Sequence, residues 1–181
     1  SALESAAKGS VSLIVACGVA GLIVGSVTLT GLGLKFADLV VEISANNLYL
    51  ALFLTMIASI ILGMGMPTAA LYIILATMVA PALVKLGVPV IAAHLFIFYY
   101  GCFAAVTPPV ALSAYVAAAI AKADPFKTAF TGWKLALSAF IMPFIFAVYP
   151  DLLMADGLRI QTLGLLAAVT VAVLAGSAAF E

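Results

Sequence analysis

The chain has 181 residues, of which 67% are hydrophobic and only 8% are charged, and its mean hydropathy is +1.35. Soluble domains carry about 25% charged residues, so this composition excludes a water-soluble globular protein. Seven basic residues balance seven acidic ones, which leaves no basic excess of the kind that binds nucleic acid or anionic lipid. Cys17 and Cys102 have no metal-binding or redox spacing, and we interpret both as buried apolar side chains.

Uncharged runs cover residues 9–34, 43–84, 86–121, 135–150 and 160–180. Because a membrane-spanning helix needs about 20 apolar residues, this layout predicts an all-α polytopic membrane protein. We expect three regions: a first transmembrane helix with an interfacial helix (residues 1–47), a region with a re-entrant hairpin and a discontinuous helix (48–127), and C-terminal transmembrane helices (128–181). Residues 1–10 lack the charged region and cleavage site of a signal peptide, and the chain stops directly after an apolar run. We therefore expect it to be a piece of a longer protein.

The first predicted span covers residues 11–34 and is rich in glycine, which lets membrane helices approach closely. Residues 35–47 have apolar side chains on one helical side and Lys35, Asp38 and Glu42 on the other. This pattern is typical of an amphipathic helix in the membrane interface, and an ordinary solvated connecting helix is the alternative.

Residues 43–84 must contain two helical pieces, because one helix of that length would be about 60 Å long. The only cluster of helix-breaking glycine and proline in this run is the joint Gly63-Met-Gly-Met-Pro-Thr68, which has no charge and almost no polar group. A loop in water would carry polar turn residues. We therefore predict a re-entrant hairpin with arms at residues 48–62 and 69–86. Two complete spans joined by a tight turn are the alternative.

A second break follows at Thr107-Pro108-Pro109, between helical segments predicted at residues 89–106 and 110–121. The remaining chain predicts an aqueous turn (122–127), a span bent near Pro143 (134–149), a polar loop and a last span (162–180). The loop contains Asp151, Asp156 and Arg159. Lysines at 8, 122, 127 and 134 outnumber the basic residues of the other side, which favours their side as cytoplasmic.

Both breaks carry groups that can bind an ion. Pro67 has no N–H for the Gly63 carbonyl, and Pro108 and Pro109 have none for the carbonyls of residues 104 and 105. Pro67 and Pro109 also suit the first position of a helix. Such broken helices bind cations through neutral oxygens and anions through helix N-termini. The predicted ion- or substrate-binding residues are Gly63, Gly65, Met66, Pro67, Thr68, Ala104, Ala105, Thr107, Pro108, Pro109 and Val110. A sodium ion is predicted at Gly63, Thr68, Ala104 and Thr107, provided that the two breaks lie together. Simple proline kinks are the alternative.

Secondary candidates are His94, the only side chain in the apolar runs that titrates near neutral pH, and the hydroxyls of Tyr99, Tyr100 and Tyr115. Packing or interfacial roles are the alternatives, and Trp133 is interpreted as an interface anchor. The sequence has no catalytic motif and no GxxxxGK phosphate loop, so we predict no enzyme and no resident cofactor beyond a coupling ion. A channel would show polar rings along a path.

The segments Leu62-Gly-Met-Gly-Met-Pro-Thr-Ala-Ala and Phe98-Tyr-Tyr-Gly, with Thr107-Pro-Pro-Val-Ala-Leu, resemble the DctM-like large permease subunit of TRAP transporters, in its fused TAXI-type variety. The resemblance covers about residues 11–154. It implies a C-terminal half with one inverted repeat of an elevator-type transporter, in which residues 63–68 match the hairpin tip and residues 107–110 the unwound segment.

The resemblance also implies a function: a multi-pass permease of the bacterial inner membrane that imports a small organic acid and is driven by a cation gradient. Its expected partners are a periplasmic TAXI-type binding protein, the rest of the same permease chain and membrane lipid, with no nucleic acid. The sequence departs from dicarboxylate-type relatives at Pro67, Tyr100 and Ala104, so proton coupling through His94 is an alternative to sodium. Two different functions stay open on the residues alone: a non-transporting scaffold subunit of the membrane and a channel.

Overall fold

The computed structural model describes residues 2–153 and 160–178, and every regular element in these ranges is helical. The α-helices are α1 (Ala2–Thr30), α2 (Leu32–Ile43), α3 (Leu48–Gly63), α4 (Thr68–Met78), α5 (Ala80–Lys85), α6 (Val90–Phe103), α7 (Leu112–Ala121), α8 (Pro125–Ala136), α9 (Met142–Val148) and α10 (Ile160–Ala178). Short 3₁₀ helices occupy Leu137–Ile141 and Pro150–Leu153. The all-α prediction is confirmed. The part of the predicted polar loop at Asp156 and Arg159 lies outside the described residues.

The first helix turns sharply into the second. The angle between Cys17–Thr30 and Leu32–Ile43 is 76°, and Gly31 at the corner has φ 67°. This positive φ is open to glycine at little cost, so the bend falls at Gly31 and not after residue 34 as predicted. The buried residues of α2 are the small Gly33 and Ala37. A methyl group on Gly33 would lie 2.7 Å from the main-chain oxygen of Thr77, so α2 packs through its small residues against the hairpin.

Helices α3 and α4 occupy the positions predicted for the two hairpin arms. The Asn47 side chain begins α3 by accepting hydrogen bonds from the amides of Tyr49 (3.0 Å) and Leu50 (3.3 Å). The arms contain 16 and 11 residues, which is fewer than the roughly 20 needed to cross the hydrocarbon core. These lengths suit a re-entrant hairpin, which stays a prediction. The second arm is not continuous to residue 86, because it is interrupted at Val79, next to Pro81 in the first turn of α5.

The main core surrounds α6, which packs against α3, α4, α5 and α9. Its side chains Phe96, Ile97 and Tyr100 are fully buried, and they share one apolar cluster with Leu52 of α3 and Leu71 of α4. Helix α6 therefore joins the hairpin to the C-terminal helices.

The interpretation of both cysteines as buried is wrong within this chain. The side chain of Cys17 is only half-buried, and that of Cys102, on the outer side of α6, is exposed.

Helix α8, which follows α7, begins after Asp124, whose side chain accepts a hydrogen bond from the Lys127 amide (2.8 Å). Pro125–Val148 then forms a 24-residue helical stretch that begins nine residues before the predicted span. Among the described residues, this stretch is long and apolar enough to cross a bilayer. The bent pair Cys17–Thr30 and Leu32–Ile43 is a second such segment if it is counted as one span. A 3₁₀ segment, Leu137–Ile141, interrupts the α-helical geometry just before Pro143, which offers no N–H to the carbonyl of Ala139; the bend predicted near Pro143 stays a prediction.

Candidate functional site

The first break separates α3 from α4 by four residues. Met64 is extended (φ −66°, ψ 112°), and Gly65 has φ 84°. Of the two glycines in this break, only Gly65 has a positive φ, because Gly63 is still part of helix α3. Pro67 is the residue before α4, which begins at Thr68 without a side-chain cap. The first amides of α4 therefore lack a side-chain acceptor, and this helix end is positive.

The second break is longer than predicted. Helix α6 ends at Phe103 and α7 begins at Leu112, two residues after the expected start, so Pro109 does not occupy the first helical position. The Ser113 amide donates to the Ala105 carbonyl (3.0 Å) and the Ala111 amide donates to the Thr107 carbonyl (3.1 Å). These two bonds close the break into a compact loop.

The carbonyls predicted to be free each accept one main-chain hydrogen bond. Those of Gly63 and Ala104 accept from amides three residues later, at 3.5 Å and 3.3 Å, whereas that of Ala105 accepts from Ser113 at 3.0 Å. Typical N–H···O distances are 2.7–3.2 Å, so the first two bonds are weak. The prediction of wholly unpaired carbonyls is wrong, because turns replace the lost helical bonds. Each carbonyl still has a second lone pair.

The two breaks touch each other at Gly63. A methyl group on Gly63 would lie only 2.5 Å from the Ala104 Cβ and 3.5 Å from the Gly101 carbonyl oxygen. Both Gly63 and Ala104 are buried. The juxtaposition that the sequence argument required is therefore present, and it depends on glycine at position 63.

Thr107 lies at the wall of two apolar cavities. One, of about 280 Å³, is bounded by Pro108 and Pro109 and by side chains of α8, and the other, of about 420 Å³, extends between α3 and the 3₁₀ segment. Trp133 lines both. The Thr107 hydroxyl donates to the Phe103 carbonyl (2.7 Å), which leaves its oxygen lone pairs available as acceptors.

The aromatic wall on α8 was not foreseen from the sequence. Phe126, Phe130 and Trp133 line the cavity beside Pro108 and Pro109. Their spacing of i, i+4 and i+7 places them on one helical face, and this periodicity was the available signal. The interpretation of Trp133 as an interface anchor accounted for the residue alone and missed the stripe.

Two of the secondary candidates, Tyr99 and Tyr100, make their hydrogen bonds outside the two breaks. Their hydroxyls donate to the carbonyls of Ala139 (3.2 Å) and Phe140, so they attach α6 to the 3₁₀ segment. The Ala139 carbonyl is the one that Pro143 leaves without its helical donor. Tyr99 and Tyr100 thus attach α6 to the 3₁₀ segment within Pro125–Val148.

His94 and Tyr115 make different contacts. The His94 Nδ1 lies 3.0 Å from the Tyr72 hydroxyl, which joins α6 to α4. His94 precedes Ala104 by ten residues, or about 15 Å along a helix, whereas its partner Tyr72 lies one turn from Thr68 at the first break. The Tyr115 hydroxyl donates to the Pro109 carbonyl and so belongs to the second break.

The exposure of the remaining candidates differs along the two breaks. Gly65, Met66 and Pro67 are exposed at the tip of the first break, whereas Thr68 is half-buried. In the second break Pro109 is exposed, and the half-buried residues are Ala105, Pro108 and Val110. No group of three or more His, Cys, Asp or Glu side chains suited to a metal occurs within residues 2–153 and 160–178. The oxygens that the two breaks themselves present are main-chain carbonyls and threonine hydroxyls, which are neutral.

These features define a polytopic α-helical membrane protein in which two interrupted helices meet. The model of one family, "Tripartite ATP-independent periplasmic transporter, DctM component", matches residues 1–155. The chain therefore belongs to this family of TRAP transporter large permease subunits. No curated protein and no solved structure matches the chain.

Family membership settles the broad class of activity. The DctM component is a membrane-embedded transporter permease and not an enzyme. Components of this family work with a periplasmic binding protein and a small permease subunit. The strongly apolar composition and the helical fold agree with this assignment.

Proposed function

We propose that this chain belongs to a secondary transporter that imports a small organic acid across the bacterial inner membrane, and that its two helix breaks form a binding site of that transporter. In this proposal a TAXI-type periplasmic protein delivers the solute, and a sodium gradient drives its movement. The contact between Gly63 and Ala104 is the observation that carries the proposal, because it brings two helix interruptions together inside the helical bundle.

The chemistry of the two breaks supports a monovalent cation held by neutral oxygens. The weakly bonded carbonyls of Gly63 and Ala104 and the hydroxyls of Thr68 and Thr107 supply four such oxygens. Hard cations prefer oxygen ligands, as the binding of calcium and magnesium illustrates. The uncapped N-terminus of α4 supplies amides and a positive dipole end, which suit the carboxylate of an organic acid.

The proton-coupled alternative finds less support. It would use His94, but that side chain pairs with Tyr72 and lies about 15 Å along α6 from Ala104, so it is not at the contact between the two breaks. A proton carrier in direct contact with the site would lie within hydrogen-bond reach of it. Sodium at the breaks is therefore the coupling ion that we propose.

Substitution of Thr107 tests the proposal. We expect Thr107→Val, which keeps the side-chain shape and removes the hydroxyl, to lower sodium-driven uptake by the intact transporter at least tenfold, with protein abundance nearly unchanged. Thr107→Ser should retain most uptake. Thr170→Val is the matched control, because the Thr170 hydroxyl also donates to a carbonyl four residues earlier (2.7 Å) but lies in α10.

Equal uptake by the Thr107→Val variant and the wild type would contradict the proposed role of this oxygen. Loss of abundance in both Thr107 variants would instead indicate that the residue stabilises the fold, as the scaffold alternative requires.

A further inference from the structure

Two buried hydroxyls on α3 have no hydrogen-bond partner within the described part of the chain. They belong to Thr55 and Ser59, which are 1% and 0% exposed. A third such hydroxyl, that of Thr162, lies by itself in α10. Buried polar groups in proteins are almost always paired, so the two on α3 need an explanation.

Other helical hydroxyls of this chain satisfy themselves locally. Those of Ser26, Thr28, Thr77 and Thr131 donate to carbonyls three or four residues earlier, at 2.8–3.3 Å. This back-bonding is the usual solution for serine and threonine within helices. The hydroxyls of Thr55 and Ser59 make no such bond although their main chain is regular α-helix.

The two hydroxyls share the face of α3 that contacts α6. Ala51, Leu52 and Gly63 are the other buried residues of α3; the first two belong to the core cluster that contains Phe96 and Ile97 of α6. Gly63 contacts the end of α6 at Ala104. Because Thr55 and Ser59 lie between these contacts and are spaced by one turn, they lie in the seam between the two helices.

We propose that Thr55 and Ser59 bind an internal water molecule between α3 and α6. Side chains one turn apart have Cβ atoms about 5–6 Å apart. A water placed about 2.8 Å from each hydroxyl oxygen spans that separation. A buried water makes 2–4 hydrogen bonds, and a second lone pair on a main-chain carbonyl of either helix supplies a third partner.

A water fits this place better than a calcium or magnesium ion. Calcium takes 6–8 oxygen ligands and magnesium takes six, whereas the seam presents two hydroxyls. The water joins the first hairpin arm to the helix that leads into the second break. It thereby helps to hold Gly63 against Ala104.

A double-mutant cycle in the intact transporter tests the shared water. The variants are Thr55→Val, Ser59→Ala and the pair, and the measurement is the midpoint of thermal unfolding. If one water bonds both hydroxyls, each single substitution lowers the midpoint by about 2–4 °C. The double variant then loses little more than either single variant, because the first substitution already releases the water. Thr170→Val, whose hydroxyl is satisfied within α10, should leave the midpoint nearly unchanged.

Two results would overturn the proposal. If each single substitution raises the midpoint and the two effects add, the hydroxyls are unsatisfied groups that no ligand binds. If replacing sodium by choline shifts the midpoint of the wild type but not that of the double variant, the ligand is a cation and not water. A density peak within hydrogen-bond distance of both hydroxyls in an experimental structure of the transporter would confirm the water directly.

Discussion

The substitution Gly63→Ala examines the contact between the two breaks most sharply. The new methyl group would lie 2.5 Å from the Ala104 Cβ and 2.8 Å from the Leu71 Cδ2. Carbon atoms in contact prefer separations of about 3.5–4.0 Å, so the facing atoms must separate by roughly 1 Å. The end of the Leu71 side chain can rotate away. Ala104 has no such freedom, because its Cβ moves only with the main chain.

The expected free-energy change follows from two opposing effects. Overpacking a close contact costs about 1–3 kcal/mol. Replacing a helical glycine by alanine stabilises a helix by about 0.5–1 kcal/mol. The control Gly21→Ala in α1 gains the second effect without the first, because no heavy atom lies within 4 Å of its new methyl group. Gly63→Ala should therefore be less stable than Gly21→Ala by about 1–3 kcal/mol.

A compensating variant tests whether the effect of Gly63→Ala comes from its contact with Ala104. Ala104→Gly removes the methyl group that Gly63→Ala would strike, so the pair should be more stable than the sum of the two single effects by about 1–3 kcal/mol. Thermal unfolding of the purified transporter measures stability, and solute uptake into cells or vesicles measures function. We expect uptake to fall in Gly63→Ala and to recover partly in the pair. Equal behaviour of Gly63→Ala and Gly21→Ala, or no rescue, would refute the close approach of the two breaks.

Three further predictions use the same assays. Gly33→Ala should destabilise by about 1–3 kcal/mol, because its methyl would lie 2.7 Å from the main-chain oxygen of Thr77; an unfolding midpoint at or above that of the wild type would contradict it. Tyr100→Phe should cost about 0.5–1.5 kcal/mol through loss of the hydrogen bond to the Phe140 carbonyl, and an unchanged midpoint would argue against that bond. His94→Gln should retain sodium-driven uptake, since the imidazole pairs with Tyr72 and is not among the proposed sodium ligands; abolished uptake with normal abundance would favour proton coupling.

The positions of the breaks were predictable because their cause is local. Proline lacks an N–H wherever it stands, so Pro67 and Pro108 interrupt a helix regardless of what surrounds them. Gly65 adopts a positive φ within the same short segment. The bend at Gly31 has an equally local cause and was displaced by only a few residues. Helix boundaries next to such residues can therefore be placed from sequence to within a few positions.

The contacts of the site were not predictable in the same way. Gly63 resembles Gly65 in the sequence, but its role is to make room for Ala104, which is 41 residues away. The hydrogen bonds that Tyr99 and Tyr100 donate to the 3₁₀ segment likewise join residues 40 positions apart. A single sequence contains no direct record of which residues, distant along the chain, lie close together in the fold. The carbonyl at Ala105 also found a donor, Ser113, that only the folded loop supplies.

The aromatic stripe on α8 is an intermediate case. The spacing of Phe126, Phe130 and Trp133 was readable, and helical periodicity predicts that they share a face. What that face meets depends on how α8 packs beside Pro108 and Pro109. Periodicity thus gives the composition of a surface, and tertiary structure gives its partner.

The proposal that the joined breaks bind the sodium ion whose gradient drives uptake has one direct test. It is solute uptake by the intact transporter as sodium is titrated against choline at constant ionic strength and pH. If sodium binds there, the rate rises with sodium and saturates, with half-saturation shifted to higher sodium in Thr107→Val. A rate that ignores sodium and follows an imposed pH gradient would contradict it.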